Sequence, residues 1–246
     1  MQMNQEMQLQ GQWLFRWRSY LPLLFLVLFI PAFANYHYLC ESYAVNLIWE
    51  IVCLCIGLFG SVIRCLVIGY APANTSGRNT KNQIADTLNT TGVYALVRNP
   101  LYLGNFFMWA APILFVHTWW LVIIYVLAFA LYYERIIITE EAFLSQKFGD
   151  DYMRWASQTS AFFPRHFHWQ KPDLPFSWKH ILRREYHGLF GLIAAITVVK
   201  LIGDICIHRS VVVDPVWLAI FTIGAVFYLS VRFLVKYTRI LYVEGR

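Results

Sequence analysis

LYLGNFFMWAAPILFVHTWWLVIIYVLAFALYYERIII, residues 101–138, decides how the chain is built. Two apolar and aromatic runs, Leu101 to Val116 and Trp119 to Ile138, carry no charge before Glu134. About 20 such residues are needed to cross a bilayer core of roughly 30 Å. Only His117 and Thr118 separate the runs, so they must form a tight antiparallel hairpin in the membrane.

Further apolar stretches lie on both sides, from Leu21 to about Leu39, Tyr43 to Tyr70, Tyr186 to Ile205 and Pro215 to Val235. The expectation is an all-α, polytopic membrane helical bundle of about six transmembrane helices. Composition agrees: the 246 residues are 59% hydrophobic, 18% aromatic and only 14% charged, against roughly 25% charged in a soluble domain. That excludes a water-soluble enzyme and leaves no room for a separate soluble catalytic domain. Chemistry then falls to helix ends and short loops. The net charge of +6 comes from basic residues flanking apolar spans, which reads as membrane orientation and not as a nucleic-acid surface. Five cysteines, three of them between Cys53 and Cys65, give no disulfide framework. Cys53 and Cys55 point to different faces of a helix and cannot clasp a metal together.

Lysines and arginines set the orientation. Arg16, Arg18, Arg64, Arg78, Lys81, Arg98, the run from Arg135 to Arg184, and Arg232, Lys236, Arg239 and Arg246 fall on one side, and Arg209 alone falls in the opposite loops. The positive-inside rule puts both termini and the long loops in the cytoplasm, at the inner membrane if the chain is bacterial. The sequons at Asn74 and Asn89 are then silent. Arg16-Trp17-Arg18-Ser19-Tyr20 reads as an interfacial belt before a retained first span. The rival is a signal peptide cleaved near Ala32-Phe33-Ala34. Within the spans, Glu50 and Lys200 are costly in lipid, and Asp204 lies one turn after Lys200 as its structural partner.

The residues from Gly92 to Asn105, GVYALVRNPLYLGN, are the most informative for chemistry. Asn99-Pro100 reads as a helix start, Asn99 as the N-cap and Pro100 at the first helical position. The open N–H groups and positive dipole end of such a helix suit a carboxylate or phosphate, and Arg98 adds a full charge. Tyr102 and Asn105 share that turn, and Gly104 permits close approach of a ligand or helix. The plainer alternative is a capped helix with an Arg–Tyr anchor. Glu140-Glu141, followed by apolar residues at 144, 148, 152 and 155, reads as a surface amphipathic helix broken near Gly149. Its carboxylates suit an ammonium or ribose hydroxyls, or else are acidic first-turn residues capped by Thr139. His166 and His168 read as interfacial side chains, since a zinc site needs further ligands.

The ordered pair of motifs, Arg98-Asn99-Pro100-Leu101-Tyr102-Leu103-Gly104 and then Glu140-Glu141 leading to Phe148-Gly149 and Tyr152, with Phe163-Pro164 beyond, resembles the integral-membrane methyltransferases of the isoprenylcysteine carboxyl methyltransferase and phospholipid methyltransferase kind. The resemblance covers residues 92–164 and implies a cofactor-binding core there, between the N-terminal helices and loop of residues 1–91 and the basic segment and last two helices of residues 165–246. It implies S-adenosylmethionine as cofactor at the cytoplasmic face, and a lipid or lipid-modified acceptor reached from the bilayer. By the same resemblance Arg98, Asn99, Pro100, Tyr102 and Gly104 hold the cofactor's amino-acid end, Glu140 and Glu141 its ammonium or ribose, and Arg135 orients the substrate anion. Asn99 stands where this family usually has histidine and cannot titrate near neutral pH. That favours an acceptor already ionised, a carboxylate or lipid phosphate. A membrane sterol-type NADPH reductase and an inactive protein of the same fold are the alternatives.

Overall fold

The computed structural model describes residues 3–72, 75, 83, 85–165, 167 and 169–246. Asn74, Arg78, Lys81, His166 and His168 lie outside the described residues. Helix α1 spans Met3–Trp17, and a 3-10 stretch Leu21–Leu28 leads into the short α2, Phe29–Phe33. Then come α3 (Tyr43–Tyr70), α4 (Pro100–Phe115), α5 (Trp119–Gln158), α6 (Trp178–His208) and α7 (Pro215–Tyr237). Among the described residues there is no strand. The protein is an all-helical integral membrane bundle.

Helices α3, α5, α6 and α7 are long and apolar enough to cross a membrane, and α4 is a shorter apolar helix. The expected first span differs most. In place of one helix from Leu21 to Leu39, the chain bends by 81° between residues 5–17 and 21–33, and the two pieces make at most one broken span. Pro22 cannot donate a backbone hydrogen bond, and the run after it winds as a 3-10 helix. The hairpin is as expected: α4 ends at Phe115 with Val116 as its C-cap, His117 takes a left-handed φ of 44°, and Thr118 is the N-cap of α5.

Small residues set the core. A Cβ added at Gly60 would lie 2.4 Å from the Gly104 carbonyl oxygen, and one at Gly104 would lie 2.9 Å from that of Gly60. The backbones of α3 and α4 therefore touch where these glycines face each other. The apolar centre collects Cys53, Ala111, Phe115, Leu121, Ile196 and Trp217. Cys55, by contrast, is exposed, as their spacing requires.

At one end of the bundle Lys200 Nζ, buried, lies 2.9 Å from Glu50 Oε1, 3.1 Å from Asp204 Oδ1 and 3.6 Å from Asp214 Oδ2. The expected Lys200–Asp204 pair is there, and Glu50 shares the same ammonium. Trp217 Nε1 and Asn46 Nδ2 donate to Glu50 at 2.7 and 2.6 Å, so the carboxylate is solvated by the protein. At the opposite end the N-terminal helix packs on α5, and the Arg246 guanidinium donates to the carbonyls of Gly69 and Pro175. Helix α1 and Arg246 thus lie at the end that also holds the Arg98 and Glu140 motifs.

Candidate functional site

Arg98 and Asn99 reach their places through backbone pairing. Val97 bridges to Ser160, Arg98 N donates to Ser160 O at 2.8 Å, and Asn99 N donates to Ala161 O at 3.2 Å. The Arg98 guanidinium then closes on the end of α5: Nε donates to Glu141 Oε1 at 2.9 Å, and Nη1 to the carbonyls of Ala156 and Thr159 at 2.7 and 2.8 Å. A single cation ties the turn before α4 to both sides of the break at Gly149, where φ is 53°. Glycine meets such an angle without a Cβ penalty.

Asn99 occupies the N-cap position and its carbonyl accepts from Leu103 N at 3.1 Å. Its side chain, however, makes no cap bond and donates from Nδ2 to Ala161 O at 3.3 Å. The side-chain cap expected from the sequence is therefore corrected, because the paired loop claims the amide. The first turn of α4 is left without a side-chain cap, and its Leu101 and Tyr102 line a cavity. Uncapped N–H groups at a helix start attract an anion.

The cavity holds about 510 Å³, inside the roughly 300–1,000 Å³ of ligand pockets. Arg98, Asn99, Pro100, Tyr102, Glu140 and Glu141 all line it. Two expected residues do not. Gly104 is buried against Gly60 and the Arg64 side chain, where it serves helix approach. Arg135 pairs with its neighbour Glu134 outside the lining.

Tyr102 Oη donates to Glu140 Oε1 at 2.6 Å across α4 and α5. The reading of Glu140 and Glu141 as first-turn residues capped by Thr139 is overturned, because α5 runs unbroken from Trp119 through that point. Thr139 Oγ1 instead donates within the helix to Arg135 O and across to Gln8 O.

Sequence reasoning missed part of the wall. Arg64 of α3 donates to both Glu185 oxygens at 2.7 and 2.9 Å and to Asn105 Oδ1 at 2.6 Å, while Asn105 Nδ2 donates to Tyr133 Oη at 3.3 Å. The signal was present, since a lone arginine late in one span and a glutamate opening another suggest a pair. Phe15, Arg18 and Ser19, from α1 and just after it, also line the cavity. Nothing in a glutamine-rich lead marks it as a wall. Trp155 lines the cavity and donates to Tyr94 O at 3.2 Å, and burial pushes the Tyr94 phenol above its ordinary range. Among the described residues, no three His, Cys, Asp or Glu side chains gather to hold a metal ion.

Residues 49–151 match the family described as Phospholipid methyltransferase, a stretch that contains the α3–α4 contact, the Arg98–Gly104 turn and Glu140–Glu141. The chain is 34% identical over 114 residues to the nickel-cobalt-cadmium resistance protein NccN of Alcaligenes xylosoxydans xylosoxydans, covering 46% of this chain and 50% of that protein. It is 34% identical over 112 residues to the cobalt-zinc-cadmium resistance protein CzcN of Cupriavidus metallidurans, covering 46% and 49%. The matched stretch thus spans about half the length of these curated relatives. No solved structure matches the chain.

Proposed function

We propose, from a chain whose residues 49–151 match the family described as Phospholipid methyltransferase, that the protein transfers a methyl group from S-adenosylmethionine to a membrane-embedded lipid or lipid-modified acceptor. One observation carries this reading: the Arg98–Tyr102 turn and Glu140–Glu141, some forty residues apart in sequence, line one cavity and are joined by two direct contacts.

The residues fit the cofactor's mixed charge. The uncapped first turn of α4 offers N–H donors to a carboxylate, and Glu140, already holding the Tyr102 hydroxyl, offers its second oxygen to an ammonium or to ribose. Arg98 acts by position: bound to Glu141, Ala156 and Thr159, it holds the turn against α5. When bound, S-adenosylmethionine supplies a methyl group on a sulfonium, open to in-line attack. The chain's task is alignment and exclusion of water, which proximity makes worth up to roughly 7–11 kcal/mol. Arg135 stays outside this assignment, since it pairs beyond the cavity lining.

For the acceptor we favour a carboxylate or lipid phosphate. Four arginines, Arg18, Arg64, Arg98 and Arg184, line the cavity against three glutamates. No base is needed for an acceptor ionised at neutral pH, and Asn99 supplies none. The positive-inside asymmetry puts the cavity end, with both termini, in the cytoplasm.

The test is ligand protection of the purified chain in nanodiscs. S-adenosylhomocysteine at a hundred times its Kd should stabilise the fold by about 2.7 kcal/mol. Protection by NADPH alone would favour a reductase, and protection by neither would favour an inactive relative of these enzymes.

A further inference from the structure

Helix α1 has two unlike faces. The inner face is built into the protein: a Cβ at Gly11 would lie 2.0 Å from Thr139 Oγ1 and 2.1 Å from the Arg135 carbonyl oxygen. Gln8 O accepts from Thr139, and Leu14 O accepts from Tyr132 Oη. Phe15 is buried and lines the cavity, with the Arg18 guanidinium 4.1 Å over its ring. Roughly opposite, Leu9, Trp13, Trp17 and Tyr20 follow one another at helical spacing and are 52%, 54%, 44% and 65% exposed. The rings meet along the stripe, Trp13 and Trp17 tilted with centroids 6.4 Å apart and Trp17 and Tyr20 edge to face at 6.1 Å. Arg16, exposed, lies beside it.

We propose that α1 is an interfacial lipid-binding helix, its Leu9–Trp13–Trp17–Tyr20 stripe seated in an anionic phospholipid headgroup layer, and that this seating holds one wall of the cavity in place. Three features select lipid as the occupant. The stripe continues directly into Leu23, Leu24, Leu26 and Val27, which are exposed on the apolar run that follows, so protein surface already facing the bilayer adjoins it. Tryptophan and tyrosine in a row suit the boundary between headgroups and acyl chains. Arg16, exposed beside the stripe, complements anionic headgroups, worth about 1 kcal/mol there. Because Phe15 of α1 and Arg18 and Ser19 just after it line the cavity, the membrane sets the position of the wall.

The experiment needs neither methyl transfer nor cofactor, so its outcome is separate from that of the proposed reaction. The full chain is placed in nanodiscs of phosphatidylcholine alone, and of phosphatidylcholine and phosphatidylglycerol in equal parts, each with and without bromine on the acyl chains. The emission lost in the Trp13→Phe/Trp17→Phe variant isolates the two indoles, and the bromolipid should quench that component. Amide exchange over residues 8–15 should slow in the anionic discs, and Arg16→Gln should return about fivefold of that protection, the equivalent of 1 kcal/mol. Indoles that bromine does not quench would overturn the proposal. So would a parent chain that is dimeric and becomes monomeric on Trp13→Glu/Trp17→Glu, since the stripe would then face a second copy.

Discussion

Tyr102 Oη lies 2.6 Å from Glu140 Oε1, and this hydrogen bond ties the start of α4 to the middle of α5 at the cavity wall. Neither residue reaches the other without the tight hairpin at His117–Thr118, which sets the two helices side by side. The bond leaves one Glu140 oxygen for a ligand.

Glu140→Gln should weaken S-adenosylhomocysteine binding by about 1–3 kcal/mol, the worth of a charge-assisted hydrogen bond. Tyr102→Phe should cost less, about 1 kcal/mol, because it removes only an orienting contact. Calorimetric titration checks both. Glu141→Gln differs in kind: it should free the Arg98 guanidinium and speed amide exchange near residues 156–161. Equal binding in all three variants would place the cofactor elsewhere.

Gly104→Ala tests packing. The new methyl would sit 2.6 Å from Arg64 Cγ and 2.9 Å from the Gly60 carbonyl. Overpacking of this kind costs about 1–3 kcal/mol. Gly60→Ala should be at least as damaging, since its methyl would meet the Gly104 carbonyl at 2.4 Å and the Met108 amide nitrogen at 2.8 Å. Thermal unfolding in detergent reads both, and a change below 0.5 kcal/mol (about the scatter of harmless surface substitutions) in each would show that α3 and α4 are not this close.

Most of the architecture was legible because lipid imposes one rule on every span: long apolar helices with charge at their ends. Asn99-Pro100 and Gly149 marked a helix start and a break by local backbone chemistry alone. The first span misled, since a run of leucines gives no sign that Pro22 and its neighbours wind as a 3-10 helix bent from α1. Glu140 and Glu141 looked like a helix start because polarity resumes at Thr139. The helix passes straight through, with the Thr139 hydroxyl turned back onto the Arg135 carbonyl and onto Gln8 of α1. Contacts such as Arg64–Glu185, 121 residues apart, have no local signature beyond a charge out of place.

Lys200→Met should cost about 3–5 kcal/mol, because it strands buried carboxylates without their cation. Glu50 loses an ammonium at 2.9 Å and Asp204 one at 3.1 Å. Adding Glu50→Gln to Lys200→Met should recover part of the loss, since the amide keeps an acceptor for Trp217 and removes one charge. Strictly additive costs in denaturation of the two single variants and the double would mean that the pair is not coupled.

His117, at the hairpin tip, has its pKa lowered by burial and by His37, whose ring is 5.8 Å away; Tyr36 stacks on its other side at 5.0 Å. The unfolded chain therefore takes up the proton first, and stability falls as pH drops below the ordinary imidazole pKa of about 6.5. Above that pH this contribution is fully present. His117→Phe should flatten the acid side of the melting-temperature profile, and an unchanged profile would assign that slope to other groups.

Asn99 separates a structural from a cofactor role. Its Nδ2 donates to Ala161 O at 3.3 Å, a bond that Asp cannot make and His can. Asn99→Asp sets a carboxylate against that carbonyl and beside the seat proposed for the cofactor's own carboxylate. Its affinity for S-adenosylhomocysteine should fall by about 1–3 kcal/mol, as for other lost charge-assisted contacts. Asn99→His should bind close to the parent and gain a pH dependence of rate near about 6.5. If the residue only joins α4 to the loop at Ala161, Asp still loosens that loop, yet the affinity of the folded protein is the same in all three. Calorimetric titration of each variant, with amide exchange at residues 160–161 as the measure of the loop, decides. Asp binding as tightly as Asn would move the cofactor's carboxylate away from the start of α4.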